Sequence, residues 1–268
     1  MEETKSIYRQ IIAAIFKKYY KEGTKVIPFA RPEIIEAANQ LGLPVPKNPG
    51  DVVYSFRYRR NFPELITETE PEGYEWIIRG AGISQYRFAL VNKNPFVPCH
   101  LVGEIRVPDA TPGVITLYAL NDEQALLAKL RHNHLIDIFT GFHCYSLQSH
   151  LRTTVPDMGQ VETDEIYIGV DKHGAHYVLP VQAKVGKDKL GIVQIEQDFA
   201  LCANKFPQLI CRSIAALFMP DGLIALFQLK ETSQGTQKVD EKHYRLVRPE
   251  ELTPGELLKY RNDSLANG

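Results

Sequence analysis

Apolar residues recur at helical spacing from about residue 4 to 22, where Ile7, Ile11, Ile12, Ile15 and Phe16 share a face and Gly23 supplies a stop. A second helix is predicted after Ala30, with Pro32 in its first turn, Ile34, Ala37, Ala38 and Leu41 on one face and Gly42 as its cap. Two short helices with a tight connection fit either a helix-turn-helix module or plain packing. PVPKNPG, 44 to 50, reads as a loop. From 51 to 60 the pattern changes to alternation. Val52, Tyr54, Phe56 and Tyr58 are set against Val53, Ser55, Arg57 and Arg59, which predicts a strand with its arginines toward solvent or phosphate. Two further strands, 74 to 79 and 84 to 91, join around Gly80 and Gly82.

VPDATPG, 107 to 113, crowds Pro108, Pro112 and Gly113 into a polar stretch and is the expected boundary between two regions, 1–110 and 111–268. A helix over 121 to 138 follows. Asn121 or Asp122 would cap it, Leu127, Leu130, Leu135 and Ile138 form its apolar face, and His134 packs on the same side. CYSLQSHLRTTV is strand-like, and two strands then flank the turn DKHG. A helix at 192 to 204, the apolar strands CRSIAALFM and LIALFQLK, and a short strand at HYRLVRP complete the chain, whose end from Thr253 is expected to fray. The fold class is α/β (mixed α+β), a central mixed sheet flanked by helices behind an N-terminal helical and small-sheet region.

A content of 44% hydrophobic and 24% charged residues is that of an ordinary folded chain. The formal net charge of -1 does not point to nucleic acid, yet it is compatible with a positive cleft balanced by acids elsewhere. The four cysteines form no Cys-x-x-Cys pair, so zinc is not indicated. The polar start MEETKSIYRQ lacks a signal-peptide core, and no run of 18 apolar residues exists. A cytoplasmic protein with reduced thiols is therefore expected.

The chemistry concentrates in TDEIYIGVDKHGAHYVLPVQAK. Symmetry about the DKHG turn places Asp164 near Val181. A one-residue shift, made by a glycine bulge at Gly174, sets Asp164 opposite Gln182, Ile166 opposite Pro180 and Ile168 opposite Val178. Cross-strand neighbours are then about 5 Å apart, a span one cation bridges. Gln182 and Lys184 share a face. A carboxylate and an amide carbonyl are hard oxygen ligands for Mg²⁺ or Mn²⁺, and a nearby lysine can position hydroxide or stabilise phosphate charge.

The run of 17 residues between Asp164 and QAK, with Pro156–Asp157 upstream, resembles the active-site hairpin of the PD-(D/E)xK nuclease superfamily, the fold of many restriction endonucleases. The resemblance covers about 120 to 230; the stretch KNPGDVVYSFRYRRNFPE also looks like restriction-endonuclease sequence. It implies a restriction-endonuclease-like core. It also implies metal ligation by Asp164, Gln182 and the carbonyl of Ala183, with Lys184 as the catalytic lysine and Glu123 as an accessory metal contact. Most members carry Glu or Asp where Gln182 stands, and Gln is a weaker, neutral ligand. Glu162, two before Asp164, is the expected assistant, since Glu165 points to the other face of a regular strand. Asp157 is the alternative metal acid.

Arg57, Arg59 and Arg60, extended by Arg79 and Arg87, are the expected DNA-backbone contacts, with Gln194 at the start of the helix after the site. The expected function is a Mg²⁺-dependent endonuclease on double-stranded DNA, a type II restriction enzyme working as a homodimer beside a cognate methyltransferase. Residues 1–110 would then serve DNA recognition or dimerisation and 111–268 catalysis. A structure-selective or defence nuclease of low specificity and a catalytically degenerate DNA-binding protein are the alternatives.

Overall fold

The computed structural model describes residues 2–58, 60–93, 96–120, 123–156, 158–186, 190–232 and 235–267. Its N-terminal part runs α1 (Glu2–Tyr19), β1 (Val26–Ala30), α2 (Arg31–Gln40), α3 (Gly50–Tyr58), α4 (Glu64–Thr67), β2 (Tyr74–Gly80) and β3 (Gln85–Asn92). The three strands form an antiparallel sheet in the order β1-β3-β2. Phe16 of α1 packs edge-on against Trp76 and Phe88, with ring centroids 5.1 and 5.2 Å away, so Trp76 is core.

The expected strand over 51 to 60 is the helix α3, so its arginines do not line a strand face. Val52, Val53, Ser55 and Phe56 are all buried, and Val52, Val53 and Phe56 match the i, i+1, i+4 spacing of a helix. An alternating set such as Val52, Tyr54, Phe56 and Tyr58 does not separate the two periods over eight residues. The Asn48 side-chain oxygen accepts the Gly50 N–H at 3.2 Å, which turns the chain into the first helical turn. Residues 26–30 form a strand where the pattern predicted only a connection; Ile27 and Phe29 point inward.

The rest of the chain runs β4 (Glu104–Pro108), α5 (Gly113–Tyr118), α6 (Glu123–His132), α7 (Leu135–Thr140), β5 (His143–Val155), β6 (Gly159–Val170), β7 (His176–Val185), α8 (Ile192–Lys205), β8 (Ile210–Cys211), β9 (Ser213–Phe218), β10 (Leu223–Thr232), β11 (Gly235–Val247) and α9 (Pro254–Asn267). An eight-stranded sheet takes the order β4-β11-β10-β9-β7-β6-β5, with β8 also on β7. It is mixed: β7 runs parallel to β9 and β4 parallel to β11. Since β4 joins this sheet, the large unit takes in residues upstream of the 107 to 113 stretch. The helix expected over 121 to 138 is two helices, because His134 adopts a left-handed backbone, φ 49°. His134 is mostly solvent-exposed rather than packed. The caps expected at Asn121 or Asp122 lie outside the described residues.

Helices cover both faces of the large sheet. Leu126, Leu127 and Leu130 of α6 bury Val181, Ala183 and Ala216 on one face. Ile195 and Phe199 of α8 bury Ala215, Leu217 and Phe227 on the other. Each buried Leu, Ile, Val or Phe among them contributes about 1.5–3 kcal/mol, so the strands carrying Gln182 and Lys184 are clamped from above and below. Among the described residues no helix is long and apolar enough to cross a membrane.

The segment after Thr253 is the docked helix α9, not a frayed end. Glu256 accepts from the Thr253 N–H at 2.9 Å and from Arg106 Nη1 at 2.6 Å, and the Tyr260 hydroxyl accepts the Arg106 N–H at 3.0 Å. The Thr253 amide and Arg106 depress the Glu256 carboxyl from 4.5 to about 2. A depressed folded-state value contributes stability that is present above pH 4.5 and lost as pH falls through about 2. Amide exchange in α9 is therefore expected to accelerate across that window, ahead of exchange in β9 and β10, and to lose this pH dependence in Glu256→Gln.

Candidate active site

The hairpin of β6 and β7 takes the shifted register. Ile166 pairs with Pro180, Ile168 with Val178, and Glu165 with Val181. The turn absorbs the extra residue. Gly174 has φ 80°, and the Asp171 carboxylate accepts the N–H groups of His173 and Ala175 at 2.8 and 3.0 Å. Extending this register by one residue sets Asp164 beside Gln182. The ladder stops there. On the other flank, β5 pairs Ser149 with Glu165 and Leu151 with Thr163, and His150 between them has φ 50°. The strands part at Asp164, whose carboxylate accepts the Ala183 N–H at 2.8 Å. In an extended strand a residue's N–H and C=O point to the same side, so the Ala183 carbonyl also faces Asp164.

Lys184 is nearly buried, its side chain 12% exposed, with Nζ 2.7 Å from Glu123 at the start of α6. Gln182 is fully buried; its Nε2 donates to Asp198 of α8 at 3.0 Å, while its Oε1 has no hydrogen-bond partner among the described residues. Burial raises the Asp164 carboxyl above its usual range, and the charge of Glu123 adds to it; the Ala183 N–H and Lys184 act against. Burial pushes Asp198 up well beyond that range, with Asp164 adding to it. The structure thus brings together Asp164, Gln182, Ala183, Lys184 and Glu123 from three elements, β6, β7 and α6.

Other expected site residues lie elsewhere. Glu162 is engaged by Arg152 at 2.8 Å rather than by the Asp164 group. Glu165 is held on the α6 side by Arg131 at 3.0 Å and by Ser146. Arg57, Arg79 and Arg87 line one cavity at the junction of the N-terminal part with α8. Arg60 stacks over the Tyr8 ring, 5.6 Å from its centroid. Gln194 is half-buried in the first turn of α8, beside Gly191. Arg59 and Asp157 lie outside the described residues.

Asp198 is the site residue that sequence reasoning missed. Its signal was periodicity: with Ile195, Phe199 and Cys202 it falls on the apolar face of α8, where a carboxylate needs a reason. His150, 2.8 Å from the Gln124 amide, was also missed, and its left-handed backbone is uncommon for a residue other than glycine.

Among the described residues no group of three His, Cys, Asp or Glu side chains stands ready to cage a metal. Mg²⁺ does not require one, since it keeps several waters and is bound through one or two protein oxygens plus substrate phosphate. The donors here, the Asp164 carboxylate and the unpartnered Gln182 Oε1, are of that hard-oxygen kind and fit it. Compared with known proteins, the chain matches no family model, no curated protein and no solved structure.

A buried carboxylate with one unpartnered oxygen destabilises the fold it sits in. Asp198→Asn keeps an acceptor for Gln182 and removes the cost of holding a titratable carboxyl in the interior. It is expected to stabilise the protein by on the order of 1 kcal/mol, about 2–4 °C in thermal midpoint. A lowered midpoint would show that the carboxylate is an asset to folding.

Proposed function

We propose that this chain is a divalent-metal-dependent endonuclease that hydrolyses phosphodiester bonds in double-stranded DNA, on a restriction-endonuclease-like core and at a specific site as type II enzymes do. The observation that carries the reading is the parted hairpin, in which Asp164 lies against the Gln-x-Lys strand and the nearly buried Lys184 is held by Glu123. The order of elements supports it too. Helix α6 precedes three antiparallel strands, β5, β6 and β7; α8 follows, then β9 parallel to β7.

In this reading Asp164, the Gln182 Oε1 and the Ala183 carbonyl hold Mg²⁺ or Mn²⁺, with Glu123 as the accessory acid. The bound ion supplies polarisation of the phosphoryl oxygen and a lowered pKa of its water. Lys184 orients the attacking water and offsets charge that develops on the phosphate. Glu123 fixes the ammonium against the sheet so that little reorganisation accompanies reaction. Residues 1–110 take the part of DNA recognition, a homodimer matches two-fold DNA symmetry, and a methyltransferase protecting the same site is the implied partner. One observation favours a second reading, a DNA-binding protein that no longer cuts: the amide of Gln182 is turned to Asp198.

Incubation with varied duplex DNA and Mg²⁺ or Mn²⁺ separates the readings. Discrete fragments are expected, with Lys184→Ala and Asp164→Ala each at least about 100-fold slower and folded by circular dichroism. Parental rates in both variants would remove the site from the chemistry. Tight binding without cutting would select the second reading.

A further inference from the structure

The cavity between the N-terminal part and α8 has features that the hydrolytic site does not use. It is lined by Arg57 from α3, by Arg79, Gly80 and Arg87 from the small sheet, by Met158, and by Val193, Glu196 and Gln197 from α8, and it holds about 130 Å³. Liquid water occupies about 30 Å³ per molecule, so the space admits a tetrahedral oxyanion with some of its water. Among the described residues, the lining sets three guanidiniums against one carboxylate, that of Glu196.

Among the described residues, two donors in this lining are buried without acceptors. They are Nε of Arg57 and Nε2 of Gln197, the latter on a side chain only 3% exposed. The Gln197 amide is fixed, because its oxygen accepts the Tyr58 hydroxyl at 3.0 Å and leaves the NH₂ group as the free end. Arg79 is fixed as well, with Nε 2.8 Å from Glu196 in a two-point pair. A buried donor left without an acceptor carries its desolvation penalty uncompensated. Fixed donors at a positive cavity are the arrangement that an anion would satisfy. The wall is also close-built: a Cβ on Gly80 would come within 3.0 Å of the Met158 carbonyl.

We infer that this cavity is a phosphate-binding pocket, with Arg57 and Gln197 donating to the phosphate oxygens and Arg79 and Arg87 supplying the field. Gln197 directly precedes Asp198, the residue that holds Gln182. A phosphate in the pocket therefore sits on the same turn of α8 as the hydrolytic site, as a backbone phosphate of the substrate strand would. Only that assignment to a DNA strand rests on the nuclease reading; the phosphate chemistry stands on the pocket itself.

Thermal unfolding with inorganic phosphate, in the absence of divalent metal, tests the pocket. Phosphate is expected to raise the midpoint of the parent protein in a concentration-dependent way against a chloride control. Gln197→Glu keeps the Tyr58 acceptor but places a carboxylate at the free end, and Arg57→Met removes a donor. Both are expected to weaken the phosphate response at least about tenfold, the equivalent of 1.4 kcal/mol. A second arm measures duplex DNA affinity without metal. A parallel loss identifies a strand phosphate as the ligand, and unchanged duplex affinity identifies a free phosphate. No phosphate response in the parent, or an unaltered response in both folded variants, overturns the pocket. Cleavage by the parent and its loss in Lys184→Ala report separately on the nuclease reading.

Discussion

One hydrogen bond organises the candidate site, the 2.8 Å contact from the Ala183 N–H to the Asp164 carboxylate. It stands where a regular β6–β7 ladder would continue past Glu165 and Val181. Because the strands part, a carboxylate replaces a backbone carbonyl as acceptor, and beyond Val181 the ladder of the inner strand is to β9. The contact depends on the turn. Without the extra residue at Gly174, the register would move by one, and every side chain of β6 would exchange faces. Turn geometry at one end of the hairpin thus decides which group meets the Gln-x-Lys strand at the other.

The two helical layers then add acidic side chains from opposite sides. Helix α6 brings Glu123 to Lys184, and α8 brings Asp198 to Gln182. Neither arrangement is what packing alone would select. Asp198 is fully buried with one oxygen unpartnered, and Gln182 carries an orphaned carbonyl oxygen in the same contact. Unsatisfied polar groups of this kind persist where function outweighs stability. The Arg57–Gln197 cavity repeats the pattern one residue earlier on α8 with donors in place of acceptors. One helix therefore presents an acidic side chain to the hairpin and an amide donor to the basic cavity.

Much of this was legible in the sequence where local pattern and local chemistry agree. The small-sheet strands β2 and β3, the hairpin β6–β7 with its one-residue shift, and helix α8 all follow from periodicity bounded by glycine. Residues 51 to 58 were not legible as a helix, because their apolar residues satisfy both the strand and the helix period. Tertiary burial of Val52 and Val53 together settles it. The break at His134 and the docking of α9 through Arg106 depend on partners far along the chain, to which local spacing is blind. At the site, Asp164, Gln182 and Lys184 were readable as a spaced motif. The contact of Asp198 with Gln182, and the meeting of Arg57 and Gln197 in one cavity, depend on how α8 meets two sheets, which spacing alone does not encode.

The central claim is that Asp164 and the Gln182 carbonyl oxygen together hold a divalent ion. Electron paramagnetic resonance of a Mn²⁺ titration, with duplex DNA present, measures this without reference to turnover. The account predicts a bound Mn²⁺ population in the parent protein that Asp164→Asn abolishes and that Gln182→Glu strengthens. Equal Mn²⁺ binding by the parent and both variants would contradict it.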